Sequence, residues 1–161
     1  MNRLGIEMLT LLGMPPVEHV KLAAALGCVS ISTGLTGLPL APFGYPDVRL
    51  YPEWSLESDS AMRREMKAAL RDTGVQIGLG EGFRVRPDGD VRDRGAGLDI
   101  MAELGALRIN AVSMETDMAR THDQLAALAD MVIERGMMFT VEFAPPNAIN
   151  SLESALAAVE H

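Results

Sequence analysis

Apolar residues follow two different spacings along this chain. Five short runs are nearly continuous in apolar character: Leu4–Leu11, Cys28–Thr33, Val75–Leu79, Arg108–Met114 and Met138–Phe143. Such runs are expected of strands covered on both faces, as in a parallel sheet. Between them lie segments of helical spacing. The first follows Pro15-Pro16 and carries Val17, Val20, Leu22, Ala24 and Leu26; proline suits a helix entry because its missing N–H is unpaired there anyway. The second spans Asp59 to Asp72, with Met62, Met66 and Leu70 spaced along one face and Gly74 as its stop. The third, Arg92 to Glu103, is weakened by Gly95 and Gly97. In the fourth, Thr121 and Gln124 have the spacing of a capping box, Leu125, Leu128, Ala129 and Val132 form the packing stripe, and Gly136 is the stop. The fifth opens at Asn150, with Glu153 in the same reciprocal arrangement, and runs to His161.

Five βα units in succession predict an α/β fold with a parallel sheet and right-handed crossovers. Two architectures fit. One is a partial (β/α)8 barrel whose strands lie in the order 1-2-3-4-5. The other is a five-stranded doubly wound, flavodoxin-like sheet in the order 2-1-3-4-5. The length of 161 residues suits a single domain. One long connection, Gly34 to Glu57, carries Pro39, Pro42, Pro46 and Pro52. It leaves the C-terminal end of the second strand, where both architectures place ligands, so it reads either as a wall of a site or as a surface excursion.

Composition narrows the function classes. Fourteen basic and 22 acidic residues give a net charge of −8. No basic face is available to neutralise phosphates, which argues against nucleic acid as a partner. The same balance argues against docking on an anionic membrane. No apolar run reaches the length of a membrane span, and Met1-Asn2-Arg3-Leu4 does not open a signal peptide. The lone cysteine, Cys28, has no internal partner, so a reducing, cytoplasmic setting is the expectation. Eleven methionines read as pliable core filling.

Candidate chemistry lies in the carboxylates. Glu7 falls inside the first apolar run, Glu81 after the third, Glu115 after the fourth, and Glu142 within the fifth between Val141 and Phe143. An acid inside an apolar strand is costly to bury unless it is paired or bound to a cation. Glu81, Glu115 and Glu142 at one end of neighbouring strands would form an oxygen-rich mouth suited to a divalent cation. Glu7 reads equally as a member of a buried pair with an arginine. His19 and His122 are expected at the surface. Tyr51 and Trp54, in the long connection, read as a stacking surface for a sugar ring or as anchors of the loop. Thr33-Gly34-Leu35-Thr36 and Gly78-Leu79-Gly80-Glu81-Gly82 lack the context and spacing of phosphate-binding loops.

The order of units, the run Val141-Glu142-Phe143-Ala144-Pro145 and the nearby Asn147 resemble the xylose-isomerase-like TIM barrel superfamily, which includes sugar phosphate isomerases and epimerases. The resemblance covers the N-terminal five βα units. It implies isomerisation or epimerisation of a sugar, sugar phosphate or polyol by proton transfer next to a carbonyl, with related lyases in the same group. It also implies a divalent ion (Mn, Mg, Co or Zn), with Glu142 as metal ligand and acid/base. From their place at the C-terminal face of the strands, Glu81 and Asn147 are candidates for contacts to substrate hydroxyls. The family's other ligands belong to strands six to eight, so activity is expected to require those units. Two readings stand beside this one: a small flavodoxin-like binding domain, and a non-catalytic fragment whose exposed first and fifth strand edges invite pairing, including with a second copy.

Overall fold

The computed structural model describes residues 2–41, 44–45, 50–145 and 147–160. Pro42, Pro46, Pro146 and His161, which figure in the sequence reading, lie outside the described residues. Five strands are present: β1 (Gly5–Ile6), β2 (Ser30–Thr33), β3 (Gln76–Val85), β4 (Arg108–Ser113) and β5 (Met138–Val141). They alternate with α1 (Pro16–Ala25), α2 (Ser60–Thr73), α3 (Gly95–Glu103), α4 (Met118–Ile133) and α5 (Leu152–Glu160). The strands form one parallel sheet in the order β1-β2-β3-β4-β5. That order is the one expected of a partial barrel, and it excludes the flavodoxin-like 2-1-3-4-5 arrangement.

The described residues divide into two compact units. One holds the residues up to Gly80 together with Leu104–Ala106, and the other holds the remainder. In the first, β1 is far shorter than its apolar run. The carboxylate of Glu7 accepts from the Leu9 N–H at 2.7 Å and turns the chain into a 3-10 segment, Met8–Leu11. Glu7 is exposed and also accepts from the Ser32 hydroxyl at 3.2 Å, so a hydroxyl and a backbone amide hold it rather than a buried arginine. Gly5 and Gly78 approach Ser30 so closely that a Cβ at either position would crowd it. This is one use of glycine inside a strand. The helix α2 has the predicted ends: Asp59 accepts from the Met62 N–H, and Gly74 stops the helix at φ 74°.

The long connection is pinned within this unit. Trp54 is buried, and its indole N–H donates to the Gly13 carbonyl at 2.9 Å. Thr36 and Ser55 form an antiparallel bridge. Trp54 therefore anchors the loop, while Tyr51 lines an open cleft of about 960 Å³ together with Leu12, Leu38, Glu53 and Met62.

The second unit packs Phe83, Leu98, Met101, Ile109, Leu128 and Ile149 as its largest buried apolar side chains. Its polar interior overturns one predicted helix start. The helix α4 begins at Met118, capped by Asp117 through the N–H groups of Ala119 and Arg120. Thr121 and Gln124 are buried and serve tertiary contacts instead. Thr121 pairs with the Ser113 hydroxyl at 2.9 Å, and Gln124 accepts from the Val91 N–H at 2.9 Å. At α5 the reciprocal cap is made by Ser151 and Ser154 rather than by Asn150 and Glu153. A hydrogen bond from its own backbone, and a smaller effect from the Ser151 side chain, hold the Glu153 carboxyl below its usual range.

His19, expected at the surface, is only 2% exposed inside the first unit. Its Nε2 has no hydrogen-bond partner. Burial pushes the imidazole pKa below the ordinary 6.5, against a smaller opposing effect from a hydrogen bond to the Ile6 backbone. The ring therefore takes up a proton less readily in the folded chain than in the unfolded one. Between the lowered folded value and 6.5 the unfolded chain binds more protons, so stability falls as pH drops through that window and is untouched above it. Urea midpoints measured from pH 8 to pH 5 should decline below about 6.5. In His19→Gln, which keeps a donor for the backbone, that part of the decline should vanish; an unchanged slope would remove His19 as its source.

Candidate functional site

The side chains that meet in the second unit come from three consecutive strands. Glu81 lies inside β3 rather than after it, because the strand continues through Gly82, at φ 89°, to Val85. Asn110 is the third residue of β4 and stands opposite Thr140 in the β4–β5 register. Glu142 directly follows β5, and its N–H donates to the Ala111 carbonyl at 2.9 Å, one step beyond the last ladder pair. Alternation puts Thr140 and Glu142 on one side of the sheet and Phe139 and Val141 on the other. In β4, Ile109 and Ala111 are fully buried, while Asn110 points the opposite way, to the side of Thr140 and Glu142. One side of this part of the sheet is thus polar, where the sequence predicted apolar cover on both.

Asn110 is the centre of the arrangement. Its Nδ2 donates to Glu142 Oε2 at 2.6 Å and to Glu81 Oε2 at 3.4 Å. Its Oδ1 accepts from the Thr140 hydroxyl at 3.2 Å, and that hydroxyl also lies 3.1 Å from the Ile109 carbonyl. Two anions are therefore gathered around one neutral donor whose oxygen end is fixed by a threonine. A shared amide offsets part of the repulsion between like charges without neutralising either. Glu142 itself is exposed, not buried between its apolar neighbours as the sequence suggested, and Phe143 beside it is exposed as well.

Glu115 does not join this group. It is buried and accepts from Arg120 Nε at 2.9 Å and from the Asp117 N–H at 2.9 Å. Arg120 also reaches the carbonyls of Arg86 and Gly89, fastening the loop after β3 to the start of α4. Asn147 stands elsewhere too. Its N–H donates to the Ala144 carbonyl at 2.7 Å, and it lines a cleft with Met114, Thr116, Met118 and Ala148.

As a metal centre the group is suitable in kind and incomplete in number. Carboxylate oxygens suit hard divalent ions, but no cluster of three or more acid, histidine or cysteine side chains able to hold an ion occurs among the described residues. Asn110 escaped the sequence reading. The signal was a polar residue in the apolar run Arg108-Ile109-Asn110-Ala111-Val112, the same kind of signal that singled out Glu142.

No protein-family model matches the chain, and no curated protein matches it. Solved structures do. A protein of Sinorhizobium meliloti 1021 matches with a TM-score of 0.70 and 20% identity, over 98% of this chain and 58% of its own. A xylose isomerase-like TIM barrel protein from Mycobacterium smegmatis, solved in complex with magnesium, matches at 0.66 and 12% identity, over 99% and 61%. A 3-keto-D-glucoside 4-epimerase from E. coli, in its apo form, matches at 0.65 and 15% identity, over 99% and 64%. The chain is thus similar in fold to xylose isomerase-like and sugar isomerase/epimerase barrels, and it spans roughly three-fifths of their length.

Replacing the shared amide tests the geometry. Asn110→Asp sets a third carboxylate among two others and removes the donor. Stability should fall by about 1–2 kcal/mol at low salt, with part of the loss recovered at high salt, which screens the added charge. Asn110→Leu should lose a similar amount with little dependence on salt. Chemical denaturation at low and high salt separates these outcomes from a site in which Asn110 contacts neither acid.

Proposed function

We propose that this chain forms part of the site of a sugar or sugar-phosphate isomerase or epimerase, in which Glu142 moves a proton on a carbon next to a carbonyl. The observation that carries this reading is the pair of carboxylates, Glu81 and Glu142, held by one amide on the polar side of adjoining parallel strands. The fold likeness to an epimerase and to xylose isomerase-like barrels supports it.

The chemistry follows from the groups present. A carbon acid beside a carbonyl gives up its proton to a carboxylate placed within hydrogen-bond reach. The electron pair moves into an enediolate; as the hydroxyl proton passes from the one oxygen to the other, the same carboxylate returns the carbon's proton to the neighbouring carbon, shifting the carbonyl by one position. Asn110 keeps the acting oxygen of Glu142 oriented from behind. Glu81 is assigned to hydroxyl groups of the substrate as an acceptor, while Asn147, which lines a different cleft, is given no part in this step. A divalent ion would take Glu142 and Glu81 as two of its donors and would supply charge stabilisation for the oxygens of the enediolate. The described residues alone do not complete that centre.

Proton exchange tests the role without knowledge of the natural sugar. The chain is incubated in deuterium oxide with a panel of ketoses, aldoses and their phosphates, with magnesium or manganese present, and deuterium at the carbon next to the carbonyl is followed by NMR. Exchange short of full turnover is expected with at least one member, since turnover itself is expected to need the units that carry the family's other ligands, and Glu142→Gln should return it to background. Exchange that persists unchanged in Glu142→Gln, or is absent throughout the panel, overturns the assignment for this chain.

A further inference from the structure

The polar side of β4 does not stay polar to the end of the strand. Asn110 lies on it, and alternation places Val112 and Met114 on it too. Met114 keeps the ladder geometry although β4 closes at Ser113, because its N–H donates to the Val85 carbonyl at 2.8 Å. Ser113 turns the other way, to the Thr121 hydroxyl of α4. The acids held by Asn110 therefore stand at the inner level of this side, and a thioether stands at its outer level.

Met114 opens onto a cleft of about 450 Å³, which it lines with Thr116, Met118, Asn147 and Ala148. The loop after β5 forms the facing wall. Glu142 bonds to β4 at Ala111, and the chain returns where the Ala148 N–H donates to the Ser113 carbonyl at 3.3 Å. Those attachments lie about 7 Å apart along β4, roughly the length of one sugar ring.

The lining suits an apolar group. Methionine side chains are pliable, and their sulfurs make favourable contacts with aromatic rings. Thr116 and Asn147 add a hydroxyl and an amide that can meet an ether or ester oxygen. An anion finds no counter-charge here. No lysine, arginine or histidine is among the described residues that line the cleft. The nearest arginine in sequence, Arg120, is engaged by Glu115 and by the carbonyls of Arg86 and Gly89. The N-terminus of α4, a place that otherwise attracts phosphate, already holds the Asp117 carboxylate.

We infer that this cleft receives an aromatic substituent carried by the substrate at the end remote from its carbonyl, so that the site takes an aryl-substituted sugar in preference to a sugar phosphate. With the carbon beside the carbonyl at Glu142, the far end of the sugar lies at the level of Met114 and its substituent enters the cleft. The sugar part of this inference rests on the proposed proton transfer.

Three forms of one sugar isolate the substituent: 6-O-benzyl-D-glucose, D-glucose 6-phosphate and D-glucose, with the galactose and mannose sets alongside and benzyl alcohol as control. The protein is labelled at its methionine methyl carbons, and the Met114 and Met118 signals are followed by NMR. In at least one set the benzyl sugar is expected to shift both signals and to bind about fivefold or more tightly than the free sugar, while the phosphate leaves both in place. Replacing both residues, Met114→Gln with Met118→Gln, should bring the benzyl sugar down to the affinity of the free sugar. The two side chains are exposed, so the thermal melt should stay in place. Benzyl alcohol that binds as tightly as the benzyl sugar, equal affinity for the benzyl and free sugars, a tighter phosphate, or a preference that survives the double replacement would each overturn the inference. Deuterium exchange on the same sugars keeps the two readings apart. Exchange that depends on Glu142 without any benzyl preference strikes this inference alone, whereas a benzyl preference that the methionine replacements remove, without exchange, strikes the proton transfer alone.

Discussion

Because β4 and β5 run parallel with Asn110 opposite Thr140, a threonine hydroxyl can hold the oxygen of the asparagine amide and turn its nitrogen toward Glu142 and Glu81. The register is the constraint from which the rest of the group follows. A slip of one residue would carry Asn110 to the opposite side of β4 and remove the amide that these two acids share. The same alternation that fills one side with Ile109 and Ala111 leaves the other side for polar groups, so packing and chemistry are set by a single ladder.

Beyond the ladder, the second unit is held by buried polar side chains doing backbone work. Gln124 accepts from Val91, Ser113 meets Thr121, and Glu115 clasps Arg120, which in turn reaches Arg86 and Gly89. Each links the loop after β3, or the end of β4, to α4. Groups of this kind are stabilising only when paired, because a buried donor or acceptor left alone costs about 1–3 kcal/mol. They account for the fate of Glu115, whose carboxylate is fully engaged in holding loops.

The sheet, its parallel sense and most helix positions were legible because burial leaves a period in the sequence. Asp59 and Gly74 bound α2 as their residue types require, and β2, β4 and β5 fall inside their apolar runs. What was illegible depends on distant residues. Thr121 and Gln124 match a capping pattern, yet Asp117 suits the cap equally, and only the positions of Ser113 and Val91 decide between them. Glu81 was placed after its strand because Gly80 and Gly82 resemble punctuation; the strand tolerates them and runs on. Asn110 carries no charge, and its importance lies in two acids on other strands. The histidine at position 19 looked superficial because helical spacing alone does not say which face is covered.

Trp54 is the single tryptophan of the chain, and its indole is seated on the Gly13 carbonyl in the first unit. Its ultraviolet emission will therefore register whether the long connection stays latched to the turn after β1. That signal arises in the first unit, whereas Glu81 and Glu142 belong to the second.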